Sequence, residues 1–503
     1  MSVNRNTFAN LAGRIVTAAL GVLLIPVYVQ VLGMESYALV GFFGILQSLF
    51  GLIDFGLGAA FSREIARLSV AGDSVQEQRD LLATLNTIYW ILAAVSVAAI
   101  WLLAPTIATR WVNASVLEPA VIVSSVRMMG IAIALHIPSA LYQGGLLGLQ
   151  RQVAYNVISV IMTIVRAGGA IVVLWFISPR IESFFLWQAV LTLLAVTVYW
   201  LALDRFIPRA PERATFRGAL VRRLWLYAAG FAGNTIGIAV AQQADKVILS
   251  KTLTLEQFGY YTLAGTAAAL LWTLVSSVST AVYPRLNQLV AVGDEAALAA
   301  EYDRANQLLA VILVPVSMLL LFFAKDIMTI WTHKPLIATR IETLVICFAL
   351  GMTLIGLVNI ALHVALSYGW FRLTLGFTWG TALVSAPLFW FASREWGVAG
   401  AAGVWLLQNA AYLLLIPILH RRYVRGGGVL WLKHAFLFPA AVTAVICCGT
   451  RLVAPSVTNP YWLATVLAAT WAASAMAVVF VEPALRAQFF AAVAGLRTAR
   501  GGA

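Results

Sequence analysis

The chain is 503 residues long, 62% hydrophobic and only 11% charged, with a formal net charge of +13. A water-soluble protein of this size carries roughly a quarter of its residues as charges, so an aqueous enzyme is excluded. The basic residues lie in short gaps between apolar runs, which excludes a nucleic-acid-binding face and leaves a polytopic membrane protein.

About 20 apolar residues cross a hydrocarbon layer as a helix. In chain order such stretches predict fourteen spans, near 11–31, 37–58, 82–104, 120–141, 155–177, 183–203 and 226–249. The remaining seven lie near 258–281, 307–328, 343–366, 373–391, 397–418, 432–450 and 461–480. The first run resembles a signal peptide in outline, but it lacks a clean small-x-small cleavage site and is read as retained. Turn formers separate several spans, among them Ser178-Pro179, Pro208 to Pro211, Gly426-Gly427-Gly428 and Asn459-Pro460. The gaps near 59–81, 204–225 and 282–306 are longer and amphipathic. Within the last, Asp294 to Tyr302 predicts a short connector helix at the cytoplasmic surface.

Orientation follows from the basic residues. With the N-terminus in the cytoplasm, 21 arginines and lysines fall in inner gaps and 8 in outer ones. That bias places both termini inside. The three cysteines, Cys347, Cys447 and Cys448, lie in apolar segments at no metal-binding spacing and read as packing residues.

A duplication is visible at an offset of 221. Leu32-Gly33-Met34-Glu35-Ser36-Tyr37 follows the first span, and Leu253-Thr254-Leu255-Glu256-Gln257-Phe258 follows the seventh. Six spans separate equivalent helices, an even number, so the halves enter the membrane in the same sense. The expected fold is therefore all-α, with two parallel-related six-helix lobes around a central cavity and two further helices. The lobes are 1–204 and 226–425, joined by a basic linker at 205–225; residues 426–503 hold the extra helices and a short cytoplasmic tail.

Charges inside spans are costly and face a cavity, a partner or the interface. Arg166, midway along the fifth span, is the foremost cavity candidate; a salt bridge within its own lobe is the competing reading. Arg127 in the fourth span and Arg14 in the first are cavity candidates too, although either side chain can also snorkel to headgroups. Asp54, near the inner end of the second span, suits an arginine's partner or an ion-coupling group. Asn234, Gln242, Asp245 and Lys246 make the seventh span the most polar of the second half, suited to a gate or an inter-lobe contact, with Asp245 and Lys246 candidates for a charge partner or coupling group. His136 and His363 read first as hydrogen-bonded packing residues, with His363 a lesser candidate for a polar cavity wall. Several guanidiniums in one cavity suit a diphosphate better than a cationic drug.

No phosphate-binding glycine loop, zinc-protease motif or Ser-His-Asp set is present. No cofactor is expected, and the reading is transport, not catalysis.

Leu32 to Leu39, Asp54-Phe55-Gly56-Leu57-Gly58-Ala59-Ala60-Phe61-Ser62-Arg63 and Ala244-Asp245-Lys246-Val247-Ile248-Leu249 resemble segments of bacterial polysaccharide-repeat-unit flippases of the Wzx type. These belong to the multidrug/oligosaccharidyl-lipid/polysaccharide exporter superfamily. The resemblance extends over roughly residues 5–425. It implies a V-shaped, monomeric flippase in the bacterial cytoplasmic (inner) membrane. Such a protein turns an undecaprenyl-diphosphate-linked oligosaccharide repeat unit, as for O-antigen, from inner to outer leaflet by alternating access. It further implies basic residues along the cavity, here Arg14, Arg127 and Arg166, and coupling to a proton or sodium gradient. Membrane lipids, a polysaccharide polymerase and chain-length machinery are the implied partners. Fourteen spans also suit a lipid II or teichoic-type precursor flippase of the same superfamily; a cation-coupled multidrug antiporter is the more distant alternative.

Overall fold

In a computed structural model the described residues, 21–71, 74–423, 431–453, 459–481 and Arg486, form helices joined by short connections. Twelve described helices are long and apolar enough to cross a membrane. They coincide with twelve of the fourteen expected spans. Of the first expected span, residues 11–20 lie outside the described residues and 21–31 fall on a short apolar helix, Gly21–Leu32. The seventh falls on a 35-residue helix, Gly218–Thr252, many of whose side chains lie outside the described residues.

The chain divides into two units, Met1–Gly259 and Tyr260–Ala503. The first contains α1 (Ile25–Leu32), α2 (Met34–Gly51), α3 (Leu57–Ser69), α4 (Val75–Thr106), α5 (Pro119–Gly148), α6 (Gln152–Val172), α7 (Ile181–Phe206) and α8 (Gly218–Thr252). Helix α2 stops where Phe55 and Gly56 take successive positive φ values of 50° and 75°. That turn frees α3 as a separate amphipathic helix with Arg63, Glu64 and Arg67 on its polar side. Its apolar face, with Phe61, Ile65 and Leu68, packs with Leu141, Tyr142 and Leu146 of α5 and with Leu203 of α7. Glycines make the approach possible. A methyl group on Gly144 would stand 2.9 Å from the Gly58 carbonyl oxygen, and one on Gly145 would meet Leu203 and Phe61.

The second unit takes most of α9 (Leu255–Val292), then α10 (Glu295–Thr332), α11 (Pro335–Ser367), α12 (Phe371–Glu395), α13 (Gly397–Ala410) and α14 (Leu415–Tyr423). Helices α15 (Phe438–Val453) and α16 (Pro460–Val481) complete it. Its centre is α10 against α11, the two most deeply buried spans. The connector helix expected at 294–302 is instead the first turns of α10. Asp294 accepts a hydrogen bond from the Ala297 N–H at 2.9 Å, so the cap and the span form one continuous helix. The last two helices pack on α10: Cys447 and Leu467 join Val314, Met318 and Phe323 in one apolar cluster. Arg451 of α15 pairs with Asp326 at 2.5 Å and lies over the Phe323 ring, where α10 kinks.

In the first unit Glu64 receives Arg67 and Arg223, and Arg223 also reaches Glu77 at 2.7 Å. The Arg67 hydrogen bond, with the charges of Arg223 and Arg63 beside it, outweighs partial burial and holds the Glu64 carboxyl below the usual glutamate range. A lowered value means this clamp is present above the ordinary pKa and lost as pH falls through the folded one. Glu64→Gln should therefore lower the unfolding midpoint by a constant amount from pH 8 to about 5. The difference should close below about pH 4. Thermal melts of both proteins in detergent across that range check this.

Candidate functional site

Arg166 lies on α6 in a turn clamped from two sides. The Trp187 indole N–H of α7 donates to the Arg166 carbonyl oxygen at 3.1 Å, and the Tyr28 hydroxyl of α1 donates to the Ala167 carbonyl oxygen at 3.0 Å. Gly169 leaves room for the Trp187 ring, which a methyl group there would overlap. Tyr28 in turn meets Phe184 of α7 edge to face at 5.4 Å. Three helices thus fix the backbone that carries the guanidinium.

The guanidinium itself is half-buried. Its Nη2 lies 3.5 Å from Thr192 Oγ1, whose own proton goes to the Gln188 carbonyl oxygen at 2.7 Å. His136 and Tyr199 are within electrostatic range. Among the described residues no carboxylate forms an ion pair with Arg166, so the salt bridge weighed as the alternative is absent there. A charge at mid-span without a counter-charge costs several kcal/mol unless an anion or water reaches it.

Arg127 is exposed on α5 and stacks over Trp101 at 5.7 Å, while the Trp101 indole N–H donates to the Arg127 carbonyl oxygen at 3.1 Å. That is the geometry of an interfacial arginine–tryptophan pair. It shares no described contact with Arg166. Arg14 lies outside the described residues.

Asp54 closes the turn after α2. One carboxylate oxygen accepts the Gly58 N–H at 2.9 Å and the buried Tyr89 hydroxyl at 2.8 Å. A methyl group on Gly58 would stand 3.1 Å from the other oxygen, a tight contact to which the carboxylate would have to yield. The partners of Asp54 are thus a backbone amide and a phenol, with no arginine among the described ones. On α8, Asp245 is buried, Lys246 lies 3.5 Å from the Gln243 side-chain oxygen, and Gln242 is exposed. The Asn234 side chain lies outside the described residues. His363 bonds through Nδ1 to the Asn359 carbonyl oxygen at 2.8 Å and meets Tyr283 edge to face. Those contacts are those of a packed, hydrogen-bonded histidine.

Glu35 is a buried anchor that the intramembrane charges did not point to. It is buried, and its carboxylate gathers the backbone N–H groups of Ser115, Val116 and Leu117 at 2.8–2.9 Å together with the Ser115 hydroxyl. The loop it holds also reaches the start of α9. Asn113 donates to the Lys251 and Leu253 carbonyl oxygens, and its own carbonyl accepts the Leu255 N–H at 2.7 Å. A methyl group on Gly259 would stand 2.9 Å from the Met34 carbonyl oxygen, so the two duplicated segments touch. The signal was the Leu32-Gly33-Met34-Glu35 motif itself. What it lacked was the distant loop.

Among the described residues no three His, Cys, Asp or Glu side chains gather as metal ligands would. The fold is similar to that of a lipid II flippase, MurJ, in an inward closed conformation. The TM-score is 0.72 at 13% identity, over 97% of this chain and 99% of that one. It is also similar to an inward-facing multidrug resistance MATE family transporter of the MOP superfamily, with a TM-score of 0.63, 15% identity, and 81% and 94% of the chains covered. For the Vibrio cholerae MATE transporter VcmN in its bent form the figures are 0.51, 12%, 85% and 97%. A search of curated proteins gives no significant sequence match. Residues 3–290 match the model of the family described as polysaccharide biosynthesis protein. This polytopic membrane protein of transporter fold therefore belongs to the polysaccharide biosynthesis protein family.

Proposed function

We propose that the chain is a flippase of the bacterial inner membrane that moves a polyprenyl-diphosphate-linked glycan precursor from inner to outer leaflet by alternating access. The observation that carries this reading is Arg166, a mid-span guanidinium with no carboxylate partner among the described residues and a rigidly held backbone. A diphosphate supplies the missing charge and enough acceptor oxygens for a planar fork of donors. The polyprenyl tail stays in lipid while the sugar travels with the diphosphate.

Two cargoes share this chemistry. Lipid II has the better structural support, because the likeness to the lipid II flippase runs the full length of both chains, the last two helices included. An oligosaccharide repeat unit, as for O-antigen, is supported by the family description. The count of fourteen spans, with a first near 11–31 and a seventh along α8, is part of the same proposal. So are the working lobes 1–204 and 226–425 with a linker at 205–225. Arg14 and Arg127 remain proposed contacts, and Asp54, Asp245 and Lys246 proposed coupling or gating groups.

The test is reconstitution of the full chain into proteoliposomes with a fluorescent lipid II or a polyprenyl-diphosphate oligosaccharide. Protected and accessible label are read by quenching. The reading expects time-dependent translocation of one of the two and not of a polyprenyl monophosphate. Equal translocation of all three, or of none by protein that is correctly folded, would refute it.

A further inference from the structure

Residues 207–217 join α7 to α8 without helix, yet they form a strap fixed along its length. The grip comes from one face of α4, on which Gln76, Arg79, Asp80 and Thr84 are stacked at helical spacing. Arg79 donates to the Ile207 and Pro208 carbonyl oxygens at 2.5 and 2.9 Å and pairs with Asp204. Gln76 accepts the Glu212 N–H at 3.2 Å. Asp80, fully buried, accepts the Thr215 N–H at 2.8 Å and pairs with Arg217 at 2.8 Å. Thr84 accepts the Arg217 N–H at 2.9 Å.

Six arginines lie between 205 and 223, and they divide by role. Arg217 and Arg223 hold the strap and the start of α8 to the lobe. Arg205, Arg209, Arg213 and Arg222 are exposed, and none pairs with a carboxylate among the described residues. Glu212 is the one acidic residue in the whole stretch 205–225. Two large aromatics, Phe216 and Trp225, are also exposed there, at 58% and 51%. Both ends of the strap are ends of long helices, and the excess of basic residues places them on the cytoplasmic side.

We infer that this strap is a binding surface for anionic phospholipid headgroups of the inner leaflet. A single buried diphosphate calls for donors that converge, as in a pocket. Here Arg209 and Arg213 lie on the extended strap and Arg205 and Arg222 on the helix ends that flank it, a spread that suits a field of headgroups, and the exposed aromatics suit the interfacial layer. Because the backbone of the strap is held in place, Arg209 and Arg213 meet the membrane from fixed positions along the chain. The inference stands apart from the nature of the transported cargo.

The test uses the full-length protein in detergent, titrated with phosphatidylglycerol, with phosphatidylcholine for comparison, and bound lipid read by native mass spectrometry. The wild-type protein should prefer phosphatidylglycerol, with a preference that weakens as salt rises. Each of Arg205→Gln, Arg209→Gln, Arg213→Gln and Arg222→Gln should weaken it about fivefold, and the four together at least about fiftyfold. Arg180→Gln, at the other end of α7, should leave it unchanged. Arg217→Gln should lower the unfolding midpoint, because it leaves the buried Asp80 carboxylate without its counter-charge. Undiminished phosphatidylglycerol binding by the fourfold variant, folded by its melting curve, would overturn the inference. So would full displacement of the lipid by inorganic diphosphate, which would mark a diphosphate site instead. Because no glycan is present, either result leaves the transport reading standing.

Discussion

Replacing Arg166 by alanine should cut translocation of the lipid-linked precursor at least tenfold while the protein accumulates normally. Arg166→Lys should retain an intermediate rate, because it keeps the charge but loses the planar pair of donors that fits a diphosphate. The unfolding midpoint separates this account from a structural one. Breaking a buried salt bridge costs about 3–5 kcal/mol, whereas removing a half-buried cation with no carboxylate partner does not destabilise and can stabilise. Arg166→Ala should accordingly melt at or above the wild-type temperature. A lower melting point together with unimpaired transport would assign Arg166 to the scaffold. Thr192→Val, which removes the hydroxyl 3.5 Å from the guanidinium, should lower transport only a few-fold.

The second large effect is expected at Glu35. Its carboxylate is the common acceptor for three backbone amides and one hydroxyl of the loop at 115–117. Glu35→Ala strands these donors and should cost about 2–4 kcal/mol, lowering the thermal midpoint by several degrees. Glu35→Gln keeps the volume but offers one acceptor oxygen for the four donors, so about half that loss is expected. Protection of the Ser115–Leu117 amides in hydrogen exchange should fall in both variants, while α6 and α7 keep theirs. Transport should change as well, because the loop Glu35 fixes also holds the α8–α9 junction through Asn113. Unaltered exchange at Ser115–Leu117 in Glu35→Ala would contradict this assignment.

Hydropathy located the spans well, because each apolar run must satisfy its own backbone as a helix in lipid. It was less informative where a helix outlasts the membrane. Helix α10 runs for 38 residues from Asp294, and nothing in its charged first turns announces that they continue into the span. Helix α8 shows the reverse, since Gln242, Gln243, Asp245 and Lys246 lower its hydropathy without ending the helix. The break after α2 was partly written in Asp54-Phe55-Gly56, although a positive φ at Phe55 is not a preference of phenylalanine.

For the site, single residues were legible and their partners were not. Arg166 stands out by its place in an apolar run, but Thr192 and Trp187 are ordinary residues of the next span. Glu35 and Ser115 lie 80 positions apart, Asp80 and Arg217 lie still farther apart in the chain, and no periodicity links either pair. Both Glu35 and Asp80 read as loop or surface acids in the sequence, and both are buried anchors. A carboxylate's value here depends on which backbone donors the fold delivers to it.

The central claim is that this chain moves a polyprenyl-diphosphate-linked glycan across the membrane. Its most direct measurement is mass spectrometry of lipid-linked glycans in the native host after depletion of the protein. The account predicts accumulation of one such species on the inner leaflet, with loss of the matching surface polymer. Lipid II would mark the peptidoglycan precursor as cargo, and an oligosaccharide repeat unit would mark a surface polysaccharide. An unchanged lipid-linked profile, in a strain with no second flippase to compensate, would contradict it.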